Sequence, residues 1–511
     1  MTATYITTTI PYVNARPHVG YALELVQADV LARYRRGQGD AVRFQSGTDD
    51  NSLKNVLAAE AAGVEVREFV DRNAEAFVAL GDALSLSVDD FIRTSLDPRH
   101  RPGVERFWRA CAAAGDLYRQ RYEGLYCTGC EQFYTPAELR DGRCPEHETL
   151  PQRVSEENWF FRLSRYAEPL REAITTGRLH IEPAGRRNEV LAFIDGGLAD
   201  FSVSRPAERA GGWGIPVPGD PGQVIYVWFD ALCNYVTALG YGSDDAAFRR
   251  WWASEGDRVH LLGKGVLRFH AVYWPAMLLS SGQPLPTRIF VHDYLTAGGR
   301  KISKSAAGAA ALEPAALAAQ YGTDAVRWWL LREVPRVGDA DFTVERLVAR
   351  ADDELANGLG NLVNRVVIMI GKYRDGRIPG PGPVPPGGEG LDAAIRQAGE
   401  RIGAALEEFD FRQATAAVWA IADEANRFVN RVRPWDLAKA ERAGEAPARL
   451  DAVLGLLARA CSALGRELVP FLPDAAARIT RQCTPRDLRL PVPSPVFRRL
   501  APAQSARAPA G

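Results

Sequence analysis

The strongest constraint on the fold lies at the N-terminus. A short β-branched segment, Tyr5-Ile6-Thr7-Thr8-Thr9-Ile10, runs into a turn-prone stretch from Pro11 to Pro17, then a helical pattern from about Gly20 to Arg36 and a second strand pattern, Ala41-Val42-Arg43-Phe44. Leu23, Val26, Val30 and Tyr34 share one helical face. Strand, helix and strand in this order predict a parallel βαβ unit, because parallel pairing needs a crossover between the two strands. Ligands of open parallel sheets sit outside the carboxyl ends of the strands, where Pro11 to His18 and Asp49 would lie.

A chain of 511 residues has room for about three folding units. From about 116 to 225 the pattern changes to scattered aromatics, turns and a Cys/His cluster, which predicts an insertion into the sheet domain. Val224-Ile225-Tyr226-Val227-Trp228 and Val259-His260-Leu261-Leu262 read as strands that resume the α/β pattern. Beyond about 345 the spacing is helical over Val344 to Arg374, Leu391 to Glu408, Arg412 to Arg431 and Arg449 to Leu468, which predicts a helical bundle. The Pro- and Gly-rich stretch 377–388 breaks it as an exposed loop. The expected division is 1–115 and 226–345 for the two halves of an α/β domain, 116–225 for the insertion, 346–490 for the bundle and 491–511 for a disordered tail.

Hydrophobic residues at 46% and charged residues at 24% exclude a disordered or fibrous chain. The net charge of -1 means that a nucleic-acid partner has to be held by local patches. No apolar run approaches the roughly 18 residues of a membrane span, and the first residues lack a signal-peptide pattern, so a cytoplasmic protein is expected. Seven cysteines argue against a disulfide framework. Only six of the 62 basic residues are lysines, and two of them, Lys301 and Lys304, are three apart.

Three clusters could carry chemistry. Cys127-x-x-Cys130 and Cys144-x-x-His147 are two pairs of soft ligands at knuckle spacing, matching a closed tetrahedral structural Zn²⁺ site; two reduced, unliganded pairs and a redox dithiol are the alternatives. Lys301-Ile302-Ser303-Lys304-Ser305 places two ammonium groups and two hydroxyls on a Gly-flanked loop, suited to a polyphosphate, or else is simply solvated surface. His18-Val19-Gly20 stands where the first loop meets the first helix, a place that favours anionic groups, although a lone loop histidine is more often ordinary surface.

Ile10-Pro11-Tyr12-Val13-Asn14, His18-Val19-Gly20, the Cys/His knuckle, Tyr226-Val227-Trp228-Phe229-Asp230-Ala231, the stretch Arg268 to Pro275 and Lys301 to Ser305 occur in one order. That order resembles the methionyl-tRNA synthetases, a family of class I aminoacyl-tRNA synthetases, from the first strand to about residue 470. The resemblance implies a Rossmann-type α/β catalytic domain with a zinc-knuckle insertion, followed by an α-helical anticodon-binding bundle. It implies ATP-dependent adenylation of methionine and transfer to the 3′ end of tRNA(Met), with Mg²⁺ accompanying the ATP. In those terms His18, Lys301 and Lys304 are catalytic, and Gly20, Tyr21 and Ser303 join them around ATP. Ile10, Tyr12, Trp228, Ala231, Tyr235, Val266, Phe269 and His270 wall the methionine side chain, and Asp49 holds its α-amino group. Asn361, Arg365 and Trp435 correspond to anticodon readers; unaided by the resemblance they would read as an exposed amide, a surface arginine and a buried tryptophan.

The chain departs from the family pattern at three places. The family's His-x-Gly-His ends in Tyr21, its Gly-Thr-Asp-Glu-His-Gly reads Gly47-Thr48-Asp49-Asp50-Asn51-Ser52, and its Gly-Lys-Asp reads Gly263-Lys264-Gly265. These changes keep two other readings open: a paralogue that adenylates an amino acid and hands it to a non-tRNA acceptor, and a non-catalytic tRNA-binding protein. A monomer is expected.

Overall fold

The computed structural model describes residues 3–127, 132–145, 148–302, 312–380, 382–444 and 447–500. Cys130, His147, Ser303, Lys304 and the tail from 501 lie outside them.

The first strand, Ala3–Thr8, sits in the middle of a six-stranded parallel sheet. The strand order is Asp90–Arg93, Ala41–Thr48, Ala3–Thr8, Asp257–Gly263, Arg288–His292 and His180–Glu182. Thr7 faces Gln45 on one side and His260 on the other. From this strand one part of the chain winds outward through Ala41–Thr48 and another begins at Asp257–Gly263, so the order reverses beside it. A crevice opens at such a switch point, outside the carboxyl ends of the two flanking strands. The first helix, Val19–Gly37, buries Leu23, Val26 and Val30 against the sheet's core, and Tyr34 is partly buried on the same face.

The stretch 116–225 carries two small antiparallel sheets. One joins Gln132–Tyr134, Leu117–Cys127, Gln152–Phe161 and Phe201–Ser202; the other joins Pro216–Val217, Asp220–Ile225 and Ser204–Pro206. Between them His180–Glu182 pairs with Arg288–Phe290 at the edge of the parallel sheet. The strand expected over Val224–Trp228 is not part of that sheet. Asp220–Ile225 ends it in the small antiparallel sheet, and a helix begins at Val227. Val227, Phe229, Asp230, Ala231 and Leu232 are all buried, and a short run buried on every side has no period to separate strand from helix.

The C-terminal region is helical. Val344–Arg350, wider i→i+5 turns over Ala351–Gly360, and Asn361–Arg374 form one continuous rod. A Cβ on Gly358 would come within 2.4 Å of the Trp419 ring, so this glycine allows the rod to close on the next helices. Those are Glu389–Glu407, Phe411–Val432, Pro434–Arg442, Pro447–Glu467 and Pro473–Cys483. The last, and Pro434–Arg442, open on a proline, which is tolerated where the backbone N–H has no helical partner.

One apolar core runs from Ile6 and the first helix through Trp328 and Trp329 to Phe428, Leu457 and Ile479. A second lies on the other face of the sheet around Phe107, Trp252, Trp274 and Met277. Among the described residues no helix is long and apolar enough to cross a membrane.

Candidate active site

A cavity of about 470 Å³ occupies the crevice at the switch point. His18 ends the loop after the first strand and caps the first helix with extended backbone, φ -117° and ψ 165°. A Cβ on Gly20 would lie 3.0 Å from its imidazole, so glycine leaves the ring its place over the helix terminus. Backbone N–H groups and the helix dipole there favour an anion. Tyr21 lines the same cavity, but its hydroxyl faces Ser46 Oγ at 2.9 Å and its ring meets Phe77 edge-on. Burial pushes this phenol above its ordinary value. Tyr21 therefore supplies a neutral, inward-tied wall where the family carries a second imidazole.

The opposite wall is Gly263 to Phe269 and His292 to Leu295. Lys264 Nζ lies 2.6 Å from Asp339 and 3.6 Å from Asp293, and 4.5 Å over the Tyr294 ring. A Cβ on Gly265 would stand 2.3 Å from Tyr294 Oη, so the phenol fills the space a side chain at 265 would use. Several lining residues escaped the sequence reading, Glu24 and Lys54 among them. Glu24 accepts from the Thr9 backbone and hydroxyl, both at 2.6 Å, and faces His292 Nε2 at 3.1 Å. Lys54 Nζ lies 5.1 Å over the Tyr12 ring. Glu24 shares the helix of the His18 motif, and lysine is rare in this chain; those were the signals available.

At one end of the cavity Trp228 stacks on Phe269, 3.8 Å between centroids and 6° from parallel, with Tyr12 edge-on to Trp228 at 6.3 Å. Tyr12, Trp228, Val266 and Phe269 line the cavity. Ile10, Asp49, Ala231, Tyr235 and His270 are not among the lining residues. Asp49 bridges to Tyr12 through the backbone, its N–H donating to Pro11 O at 2.9 Å. His270 Nδ1 donates to Val266 O at 3.0 Å, which leaves Nε2 to accept from the Tyr235 hydroxyl at 2.7 Å. Burial pushes His270 down to about 4, so the ring is neutral at physiological pH.

The lysine-bearing segment begins on the same cavity. Leu295–Ala297 and Arg300–Lys301 pair antiparallel across Gly298 and Gly299, whose φ values of 59° and 74° suit a two-residue hairpin turn. Ile302 is 5% exposed, its N–H donates to Leu295 O at 3.2 Å, and it lines the cavity with His18. Ser303 and Lys304 lie outside the described residues, and of Lys301 the backbone is described.

Two of the four zinc candidates, Cys127 and Cys144, lie buried in one small cluster with Tyr134. Cys127 Sγ is 3.7 Å from Thr149 Oγ1 and Cys144 Sγ is 3.6 Å from Tyr134 Oη. Cys130 and His147 lie outside the described residues. Among the described residues no group of three or more His, Cys, Asp or Glu could hold a metal ion. In the helical region Asn361 is exposed and Arg365 half-buried on one face of Asn361–Arg374. Trp435, expected to be buried on its own, is 39% exposed at the start of Pro434–Arg442.

Comparison with known proteins places this geometry. The family model described as tRNA synthetases class I (M) matches residues 4–153 and 135–367. A methionine–tRNA ligase of Thermotoga maritima is 38% identical over 486 residues, spanning 94% of this chain and 75% of that protein. One from Brucella suis is 39% identical over 525 residues, spanning 98% of each. Among solved structures, Mycobacterium tuberculosis methionyl-tRNA synthetase in complex with methionyl-adenylate matches with a TM-score of 0.90 at 38% identity, over 98% of this chain and all of that one (100%). The apo form of that synthetase matches with a TM-score of 0.83 at 36% identity, over 98% of this chain and 99% of that one.

Proposed function

We propose, from the premise that this chain belongs to the methionyl-tRNA synthetase family of class I tRNA synthetases, the following roles for its residues. Its activity is methionine–tRNA ligation: methionine is adenylated by ATP and then transferred to the 3′ end of tRNA. The relatives give no support to a non-tRNA acceptor.

The methionine carboxylate is already ionised at neutral pH, so attack on the α-phosphorus needs no general base. What remains is to align the reactants and to stabilise charge on the α-phosphate and the departing pyrophosphate. His18 at the helix terminus serves the phosphates from one wall. Lys301, Ser303 and Lys304 serve them from the other, with Gly20 leaving the backbone open to approach and Tyr21 closing the floor. Mg²⁺ accompanies ATP as part of the substrate. The stacked Trp228 and Phe269, with Tyr12 and Val266, receive the thioether, a polarizable group that asks for contact more than for hydrogen bonds. Neutral His270, tied to Tyr235, keeps a charge out of that end, and Ile10 and Ala231 back it. Asp49 takes the α-ammonium group. The observation that carries this reading is that His18 and Ile302, from opposite ends of the catalytic sequence, line one cavity beside the Trp228–Phe269 stack.

Cys127, Cys130, Cys144 and His147 hold a structural Zn²⁺, supported by the shared burial of Cys127 and Cys144; when bound, the ion cross-links the tip of the insertion. Residues 1–115 and 226–345 form the catalytic domain around the parallel sheet, to which 116–225 lends its edge strand, and 346–490 is the anticodon-binding region, read by Asn361, Arg365 and Trp435. The protein works as a cytoplasmic monomer with tRNA(Met).

Methionine-dependent exchange of pyrophosphate into ATP, followed by charging of purified tRNA, tests the roles. Lys304→Ala is expected to slow exchange about a hundredfold with an unchanged thermal midpoint. Full exchange by that variant would remove the lysine segment from the mechanism.

A further inference from the structure

Behind Asp49 runs a line of hydrogen bonds that the roles above do not use. Thr237 Oγ1 faces His100 Nδ1 at 2.8 Å, and His100 Nε2 faces Asp230 Oδ1 at 2.6 Å. The other carboxyl oxygen, Asp230 Oδ2, accepts from Asn51 Nδ2 at 2.8 Å. The Asn51 backbone N–H then donates to Asp49 Oδ1 at 3.3 Å. His100 is 0% and Asp230 1% exposed.

Such groups are costly to bury and are tolerated only where each finds its partners. Here the partners come from four separate elements: the first turn of His100–Ala113, the short helices Val227–Leu232 and Asn234–Thr237, and the loop after Ala41–Thr48. The loop is held from its other side as well, Asn55 Nδ2 donating to the carbonyls of Asp49 at 3.0 Å and Asp50 at 2.9 Å. Asp230 belongs to the same short helix as Trp228 and Ala231. One buried carboxyl is thus fastened to the helix that carries the thioether wall and, through Asn51, to the loop that carries Asp49.

We propose that Asn51, Asp230 and His100 are positioning residues that fix the distance between Asp49 and Trp228, so that the site selects amino acids by the span from α-ammonium to side-chain sulfur. This rests on the reading of Asp49 as the ammonium partner. Asn51, where the family carries histidine, is the adjustable joint, because it reaches Asp230 with its amide and Asp49 with its backbone.

Asn51 is half-buried, so substitutions there spare the core. Loss of one hydrogen bond to a buried carboxyl is expected to raise KM for methionine about tenfold in Asn51→Ala, with KM for ATP changed by less than about twofold. Asn51→Asp, which sets a second carboxyl against Asp230, is expected to exceed that rise. Asn51→His, whose ring N–H can donate to Asp230, is expected to stay within about threefold of the parent. The ratio of kcat/KM for methionine over homomethionine, which sets one more methylene between the α-carbon and the sulfur, is expected to narrow in Asn51→Ala and to recover in Asn51→His. Asp230→Asn, isosteric, gives an independent arm and is expected to move methionine and not ATP. Unchanged methionine KM and unchanged discrimination in these variants would overturn the proposal. So would a parallel rise in both KM values with a lowered thermal midpoint, the mark of a purely structural role. The parent's own exchange separates the two levels: no exchange with methionine removes the underlying reading, whereas normal exchange with indifferent variants removes this inference alone.

Discussion

Arg327 is the most heavily engaged buried cation described, and replacing it by methionine isolates what it does. Its guanidinium has no exposed surface; it donates to Phe471 O at 2.7 Å, Leu84 O at 2.9 Å and Pro470 O at 3.1 Å, and lies 2.8 Å from Asp29 Oδ2. Asp29 sits on the first helix, whose N-terminus holds His18. Burial alone would raise the Asp29 carboxyl, but Arg327 and Arg33, with Ser87 donating, hold it below the usual carboxylate range. Removing one partner of a buried pair costs roughly 3–5 kcal/mol. Three carbonyls also lose a donor, at about 1–3 kcal/mol each where no water replaces it. Arg33 and Ser87 remain on Asp29, which keeps each cost at its lower end, so we expect a net loss of about 6 kcal/mol in Arg327→Met. Urea unfolding followed by tryptophan fluorescence measures it, Trp328 and Trp329 being the adjacent residues. The pH dependence carries a sign. A depressed carboxyl stabilises at pH values above its unfolded value near 3.9 and loses that contribution as pH falls through the lower native value. In the variant the same carboxyl is raised by burial, so protonation relieves it and the gap between the two proteins narrows from pH 7 towards pH 4. A loss under about 1 kcal/mol at pH 7, or a gap that widens in acid, would refute the assignment.

His270 supplies a second pH test. With a native value of about 4 against an ordinary 6.5, the unfolded chain binds more protons between those limits, so stability falls as pH drops through this window. His270→Gln is expected to remove one proton's share of that slope, up to about 1.4 kcal/mol per pH unit, and leave the share of buried His260; an unchanged slope contradicts the buried neutral ring. Cys144→Ser is expected to lower bound zinc from about one equivalent to below about a tenth, measured by mass spectrometry of the purified protein; full retention would exclude this cysteine as a ligand. Trp435→Ala is expected to raise the KM for tRNA in charging about tenfold with methionine-dependent exchange unchanged. Equal loss in both assays would move Trp435 from tRNA binding to the fold.

The parts legible in the sequence are those whose signal is periodic or ordered along the chain. The first βαβ unit is one: the helix expected from about Gly20 to Arg36 spans Val19–Gly37, and the second strand runs on to Thr48. Val224 to Trp228 has neither period nor polar contrast, so the point where strand gives way to helix, between Ile225 and Val227, is not marked in it. His180–Glu182 is three residues long and joins the parallel sheet from within a stretch of antiparallel hairpins, so nothing local marks it. At the site, motif order put His18 beside the start of the lysine-bearing segment, and Ile302 lines the cavity with His18; Ser303 and Lys304 lie outside the described residues. What it could not give is pairing between distant polar residues, such as Glu24 with His292 or His100 with Asp230, because those partners are chosen by packing. The departures at Tyr21 and Gly265 read as lost charge in one dimension; in three they are a phenol turned inward to Ser46 and a gap occupied by Tyr294.

The apolar core that begins at Ile6 and the first helix is completed by Phe428, Leu457 and Ile479. Translation delivers these pieces far apart in time: the first helix covers this face of the sheet early, and the helices that complete the core around Trp328 and Trp329 are synthesised last. A shortened version ending near residue 345 would lack Phe428, Leu457 and Ile479 and leave that end of the core open to water.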